Sequence, residues 1–241
     1  MLTIMTIPTG FLNALDSFET LPAAARLRVH SYELLALNKG DRVVDVGCGT
    51  GRAAAELAAR HAIATGIDHH PAMVEVARGR HPDGDYRVGD AHRLPFADGE
   101  LHGYRTDKVL HDLTDPHLAL HEARRVLSRN GRLVVVDLDW DAISIASDDP
   151  ERTRAVVHRR TDKLAAGFAA RQAPEILRAL GFTDVHTTAE SEVVTTPELG
   201  GLFLSRIAGD ADDWLAGQRN RAKRGDLLLV IPILVTAATR A

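Results

Sequence analysis

An aspartate followed by three glycines at alternate positions, Asp45-Val46-Gly47-Cys48-Gly49-Thr50-Gly51, is the segment of this chain best suited to chemistry. It joins a β-branched run to an alanine-rich stretch, which is the strand-to-helix turn where doubly wound α/β folds meet nucleotide-like ligands. Glycine lets the backbone turn sharply there and approach a ligand with no side chain between. Any tight strand-to-helix connection can use glycine; the added feature here is the acid ahead of three spaced glycines. The dinucleotide fingerprint would put glycines at 47, 49 and 52, but residue 52 is Arg. No phosphate-loop lysine follows, and an acid beside the loop suits a ligand without pyrophosphate. Further on, Asp68 closes Gly66-Ile67-Asp68, and Asp90 follows Gly89 and precedes Ala91. Read without context, Asp90 is equally a turn residue or a helix cap.

Proton-transfer candidates cluster further along. His111 follows an apolar stretch, and histidine is the side chain whose ordinary titration suits proton abstraction near neutrality; capping or packing a following helix is the competing reading. Asp107 lies just before it, while Asp137, Asp139 and Trp140 leave the segment Arg132–Leu138. Trp140 offers a flat wall to a planar ligand, or simple packing. The chain has 12 histidines, and His117 and His121 are one helical turn apart. No third ligand accompanies them, so the expectation is a solvated helix face and no metal. Cys48, inside the glycine loop, has no sequence-specified histidine partner and reads as packing beside the ligand rather than as a nucleophile.

These residues need a scaffold, and the hydrophobic pattern supplies one. Short strands are expected at 42–46, 62–67, 86–88, 101–106 and 132–138, the last an uninterrupted apolar run of the kind buried on both faces of a sheet. Helices are expected at 52–60, at 71–80 behind a proline, from 115 to 128, and at 174–180 before Gly181. Two late strands, 185–189 and 227–235, suggest an antiparallel end to the sheet. The expectation is therefore an α/β, Rossmann-like, doubly wound and mostly parallel seven-stranded sheet with an antiparallel last strand and helical additions. The chain reads as a single domain, residues 1–241: an N-terminal helical cover at 1–41, a cofactor core at 42–138, a helical substrate cover at 139–173, and a closing helix and strands at 174–241. Arg152, Arg154, Arg159 and Arg160 in the substrate cover read as solvated helix surface, with an anionic substrate as the competing reading.

Length and composition are consistent with that picture. A chain of 241 residues with 45% hydrophobic and 26% charged side chains has ordinary globular values. Its formal net charge of −4 provides no global basic field for a nucleic-acid backbone. One cysteine allows no internal disulfide and fits a reducing compartment. With no basic N-terminal start and no run long enough to span a bilayer, the expectation is a cytoplasmic protein with no membrane partner. A homodimer is compatible with this size.

Together, Asp45–Gly51, Asp68 and Asp90-Ala91 resemble the motifs of the class I S-adenosylmethionine-dependent methyltransferases, most specifically over residues 42–138. The resemblance implies S-adenosyl-L-methionine as cofactor. Its site would draw on Asp45, Gly47, Cys48, Gly49 and Gly51 of the loop, and on Asp68 for the ribose. Asp90 and Ala91 would sit near adenine, with His69 and Thr106 as further contacts. The segments 109–113 and 127–133 also look like the family's, whereas His102, Gly103 and Arg105 occupy positions where it is usually apolar or acidic. The Asn/Asp-Pro-Pro-aromatic motif of amino-directed nucleic-acid methyltransferases is absent from Arg105-Thr106-Asp107-Lys108-Val109, favouring a small-molecule acceptor and no nucleic acid. His111, Asp107 and Asp139 are the candidate catalytic residues for in-line methyl transfer that yields S-adenosylhomocysteine. The alternatives are a non-methylating reaction on the same fold, such as cyclisation, and an NAD(P)-dependent oxidoreductase.

Overall fold

A computed structural model describes Ile7 and residues 9–241; the start of the expected N-terminal cover, residues 1–6 and 8, lies outside the described residues. The chain runs through α1 (Thr9–Glu19), α2 (Pro22–Leu35), β1 (Arg42–Val46), α3 (Arg52–Ala59), β2 (Ile63–Asp68), α4 (Pro71–Arg80), β3 (Asp85–Val88) and β4 (Leu101–Asp107). It continues through α5 (Pro116–Val126), β5 (Leu127–Leu138), β6 (Ser144–Ile145), α6 (Pro150–Lys163), α7 (Ala169–Ala179), β7 (Phe182–Val194), α8 (Pro197–Ala208), α9 (Asp212–Lys223) and β8 (Leu229–Arg240).

Strands β3, β2, β1, β4 and β5 pair in parallel in that order. β8 then runs antiparallel between β5 and β7, and the two-residue β6 extends the β5 edge. The sheet thus has eight strands, one more than the pattern suggests, because two residues carry too little periodicity to be read. Chain order reverses between β1 and β4, and that switch point opens a crevice at the carboxyl edge of the sheet.

Both faces are covered, which is why the central strands are apolar without interruption. Val43, Val134, Val136, Ile231 and Ile233 point into one core with Leu35, Val156, Leu204 and Trp214. Their neighbours Val44, Val46, Leu133 and Val135 point into the other, with Leu120, Ala123 and Leu177. Local chemistry sets several helix starts. Asp115 accepts a hydrogen bond from the Leu118 amide (2.9 Å) and Asp149 one from Arg152 (3.0 Å), each ahead of a proline in the first turn.

Three expectations change. α7 begins at Ala169 and carries Pro174 inside it rather than at its start; Ala169, Ala170 and Ala173 are buried against the sheet, so packing extends the helix ahead of the proline. β5 begins at Leu127, with Asn130 in the left-handed conformation (φ 64°) where an Asn-Gly break was expected. Finally, the segment between the last two strands is not simply a closing connection: α8 and α9 fill it, and α8 packs against α1 and α6. No helix among the described residues is long and apolar enough to cross a membrane.

Candidate cofactor and acceptor site

The glycine loop leaves β1 with Gly47, Gly49 and Gly51 all at positive φ (72°, 52° and 84°). At Gly47 a β-carbon would also meet Val109 Cγ2 at 2.2 Å, so neither the conformation nor the space admits another residue. Two cavities open on either side of Asp68. One, of about 480 Å³, is bounded by Asp45, Cys48, Gly49, Thr50, Arg105 and Asp107, and roofed by Leu15, Phe18 and Glu19 of α1. The other, of about 460 Å³, is bounded by Val46, Ile67, Gly89, Asp90, Ala91 and Val109. Gly47, Asp68, His69 and Lys108 line both, so they form two lobes of one crevice.

Asp68 is buried. Its Oδ2 accepts from the Gly49 amide and its Oδ1 from the His70 amide, each at 2.9 Å, so the carboxylate locks the loop while facing the junction. Asp90 caps its own turn, accepting from the amide (2.9 Å) and Nδ1 (2.7 Å) of His92. That amide bond, with the His92 side chain, holds the carboxyl below its ordinary pKa against slight burial. The side chain is nevertheless 66% exposed, leaving an oxygen toward the lobe. His69 is exposed at the shared rim.

The floor of the first lobe is a buried charge cluster. Arg105 donates through Nε to Ser31 Oγ (2.8 Å), through Nη1 to Asp45 (2.7 Å) and through Nη2 to Asp107 (2.7 Å). Its guanidinium also lies 5.5 Å from the Tyr32 ring centroid. Burial opposes its charge, but Asp45 and Asp107 keep its pKa above the ordinary value. Burial pushes the Asp45 carboxyl up, with Arg105 opposing. Burial would also raise Asp107, yet Lys108, at 2.5 Å, and Arg105 outweigh it and bring the carboxyl down to about 2. A group so firmly ionised is a weak proton acceptor.

Thr106 is fully buried and borders neither lobe. Side chains alternate along a strand, so when Arg105 and Asp107 face the crevice Thr106 faces away. Arg105 lines the first lobe and the Thr106 hydroxyl does not, so the expected Thr106 contact could be made only through backbone. Gly51 also stands back from both lobes, and its carbonyl accepts from Tyr86 Oη (3.0 Å). The Cys48 side chain packs with Ala54, Val74, Ala77 and Tyr86, and burial pushes its thiol well above the ordinary value, which removes it as a nucleophile.

A third cavity, about 710 Å³ and mostly apolar, meets the first two at Lys108. It is lined by Phe18 of α1, Leu138 at the end of β5, Trp140 just beyond it, and Leu199, Leu202 and Phe203 of α8. His111 stands in its wall. Its Nδ1 lies 2.5 Å from Asp137 Oδ1 and its ring meets Trp140 at 5.3 Å, edge to face. Asp137 is fully buried and also accepts from the amides of His111 (3.1 Å) and Leu138 (2.7 Å). The imidazole thus presents Nδ1 to Asp137, while its Nε2 lies 3.5 Å from the exposed Asp112 carboxylate. Asp139 stands outside this cavity, tied to Arg171 at 2.8 Å. From residues 139–173 only Trp140 lines this cavity, and α8, which sequence reasoning left unassigned, supplies the largest share of its wall. The amphipathic run 197–208 was the available signal.

The switch-point crevice, its glycine turn and the acid between two lobes define an α/β protein built for a nucleoside-containing cofactor. Residues 44–135 match the model of a methyltransferase domain. Over 213 residues the chain is 36% identical to an uncharacterised 37.1 kDa transposon protein of Streptomyces fradiae, covering 86% of this chain and 59% of that protein. Over 113 residues it is 39% identical to the demethylmenaquinone methyltransferase of Thermotoga maritima (46% and 49%). Over 145 residues it is 32% identical to an O-methyltransferase of Aspergillus nomiae (56% and 64%). The matches thus span between 49% and 64% of the length of these relatives. Among solved structures, the [4+2]-cyclase SpnF superposes with a TM-score of 0.58 at 27% identity, covering 90% of this chain and 81% of that one. The match over residues 44–135 and these relatives support a class I S-adenosylmethionine-dependent methyltransferase domain in that part of the chain, and S-adenosylmethionine is the cofactor that goes with such a domain. The residues fit it: a β-carbon at Gly47 would close the turn, and the Asp68 carboxylate stands where the two lobes join.

Proposed function

We propose that this protein methylates a hydroxyl of a small, largely apolar molecule, with His111 taking the hydroxyl proton and Asp137 holding the imidazole in place. The observation that carries the reading is the His111–Asp137 pair in the wall of an apolar cavity that joins the cofactor crevice. Asp68 would receive the ribose hydroxyls, because its two oxygens keep acceptor capacity beyond the Gly49 and His70 amides. The Asp90 oxygen and the Ala91 amide would meet the adenine edge, while backbone of the glycine loop and the Arg105–Asp107 floor would surround the amino-acid end. Bound S-adenosylmethionine supplies a methyl on a positively charged sulfur that departs as a neutral thioether, so no acid is needed for the leaving group.

What remains for the protein is alignment and removal of one proton. Lys108, at the meeting of the three cavities, marks where the acceptor comes nearest the cofactor lobes. Alignment at such a junction can supply much of the rate. A positioned base adds a factor of roughly 10²–10⁴ for a hydroxyl acceptor. The test is S-adenosylhomocysteine release with a panel of phenols and aliphatic alcohols. His111→Gln and Asp137→Asn should each lower turnover by about 10²-fold or more while calorimetric affinity for S-adenosylmethionine holds. Unchanged turnover in both would rule out the base.

The likeness to the cyclase supports a second reading, in which the cofactor is bound but no methyl group is moved. Consumption of an acceptor without S-adenosylhomocysteine would favour it.

A further inference from the structure

Among the described residues, Lys108 alone borders all three cavities. Its side chain arrives there against the rhythm of the strand. Arg105 and Asp107 face the first lobe and Thr106 faces away, so a residue continuing the alternation at 108 would turn away as well. Instead Lys108 adopts the left-handed conformation (φ 60°), which a residue with a β-carbon takes at a cost in free energy. Two contacts pin it. Its amide donates to the Val136 carbonyl at 2.7 Å, and the next residue, Val109, fills the space beside Gly47. The turn keeps the Lys108 ammonium at the junction of the cavities, 2.5 Å from Asp107 and 5.4 Å from the Phe18 ring centroid.

The junction is otherwise rich in negative charge. Asp107 ends β4, Asp112 stands exposed on the rim 3.5 Å from His111 Nε2, and Asp137 is buried behind the ring on β5. Glu19 of α1 is already paired with Arg52 at 2.7 Å, and Arg206 of α8 borders the third cavity but neither lobe. Lys108 is thus the cation that reaches the cofactor lobes and the acceptor cavity together. An ammonium has three N–H donors, and Asp107 takes one. The side chain is 31% exposed, so the others are open to a ligand. A hydroxyl proton passing to the His111 imidazole leaves its electron pair on the oxygen, and the nearby carboxylates oppose that charge. Lys108 supplies the opposite sign. A phenol has an ordinary pKa of about 10, against about 6.5 for histidine. A cation within about 4–6 Å lowers an acid's pKa by about 1–3, which closes much of that gap. An aliphatic hydroxyl is a far weaker acid and stays out of the imidazole's reach. The walls suit a flat ring, since Phe18, Trp140 and Phe203 all border the cavity.

We infer that Lys108 holds the acceptor's oxygen as its anion beside His111, which makes the acceptor a phenol or a hydroxyl compound of similar acidity rather than an aliphatic alcohol. This rests on reading the third cavity as the acceptor pocket, and its test is independent of methyl transfer. The probes are 4-nitrophenol, whose anion has its own visible absorption band, and 4-nitroanisole, which cannot ionise. Titrated with the full chain over a range of pH, wild type should bind the nitrophenolate roughly tenfold or more tighter than the neutral phenol, so the bound probe ionises at lower pH than the free one. Lys108→Met should bring the two forms within about twofold of each other and leave 4-nitroanisole within about twofold of wild type. Lys108→Arg, which keeps the charge, should retain most of the preference. Wild type that binds neither probe, or binds the two forms of nitrophenol equally, overturns the inference. So does a Lys108→Met protein that keeps the preference or loses both probes equally. A preference abolished by His111→Gln and untouched by Lys108→Met overturns it too, because the histidine would then be the anion's partner. Release of S-adenosylhomocysteine judges the methyl-transfer reading separately, so either idea can fail alone.

Discussion

Asp68 ties two elements of the fold together at the place where the proposed cofactor would sit. Its carboxylate fixes the glycine loop through Gly49 and the start of α4 through His70, and it borders both lobes of the crevice. Asp68→Ala should raise the dissociation constant for S-adenosylmethionine roughly 100-fold, since hydrogen bonds to a charged group are worth about 1.5–3 kcal/mol. Isothermal calorimetry measures that change, and circular dichroism should show the fold intact. His111 and Asp137 divide the work differently. One faces the cavity and the other is buried behind it, so their loss should affect turnover rather than cofactor affinity. Cys48 is a packing residue, and Cys48→Ala should leave cofactor binding within about twofold of wild type while costing up to roughly 1–2 kcal/mol in urea unfolding.

Between β1 and β4 the stabilising unit is the Asp45–Arg105–Asp107 cluster together with Ser31 of α2. Arg105→Met would leave the buried Asp45 carboxylate without its counter-charge, and breaking such a pair costs about 3–5 kcal/mol. Urea denaturation should show a lower midpoint with an unchanged slope. The cluster also has a pH signature. Asp107 in the folded protein titrates at about 2, below its ordinary 3.8. A depressed carboxyl adds stability above the unfolded value and loses it as pH falls toward the folded one. Stability should therefore drop from about pH 4 to about pH 2, and Asp107→Asn should show a smaller drop over that window. The glycine turn is tested by Gly47→Ala, which combines a 2.2 Å approach to Val109 with a φ of 72°. Adding Val109→Ala should relieve the contact but not the conformation, so cofactor binding should recover only partly.

For the whole molecule, the crevice lies between a sheet edge and helices from both ends of the chain, so ligand binding and global stability are linked. S-adenosylmethionine at 100 times its dissociation constant should add about 2.7 kcal/mol to the folded state. For a chain of this length that corresponds to a rise in Tm of roughly 5–10 °C. Differential scanning fluorimetry should show the rise in wild type and little of it in Asp68→Ala at the same concentration. α1 and α8 meet through Phe18 and Phe203, and together they close the third cavity.

The strand–glycine–helix turn with Asp45 ahead of it was legible in the residues alone, and the family resemblance added Asp68 and Asp90. Glycine conformation, strand burial and carboxylate chemistry are local demands that leave a local mark. That the first five strands run parallel followed from the alternation of strands and helices. Three features were not legible. Thr106 rather than Arg105 looked like the crevice contact, because the phase of β4 is set by its pairing with β1 and β5. The His111–Asp137 pair joins positions 26 residues apart, across the ends of neighbouring strands. The wall supplied by α8 depends on how the chain returns between β7 and β8. By itself the sequence determined the scaffold and the family of ligand, since these rest on residues close together in the chain. Only the tertiary structure decided which acid is free, which is tied to an arginine, and what lies opposite the histidine, because burial and charge pairing are properties of distant segments brought together.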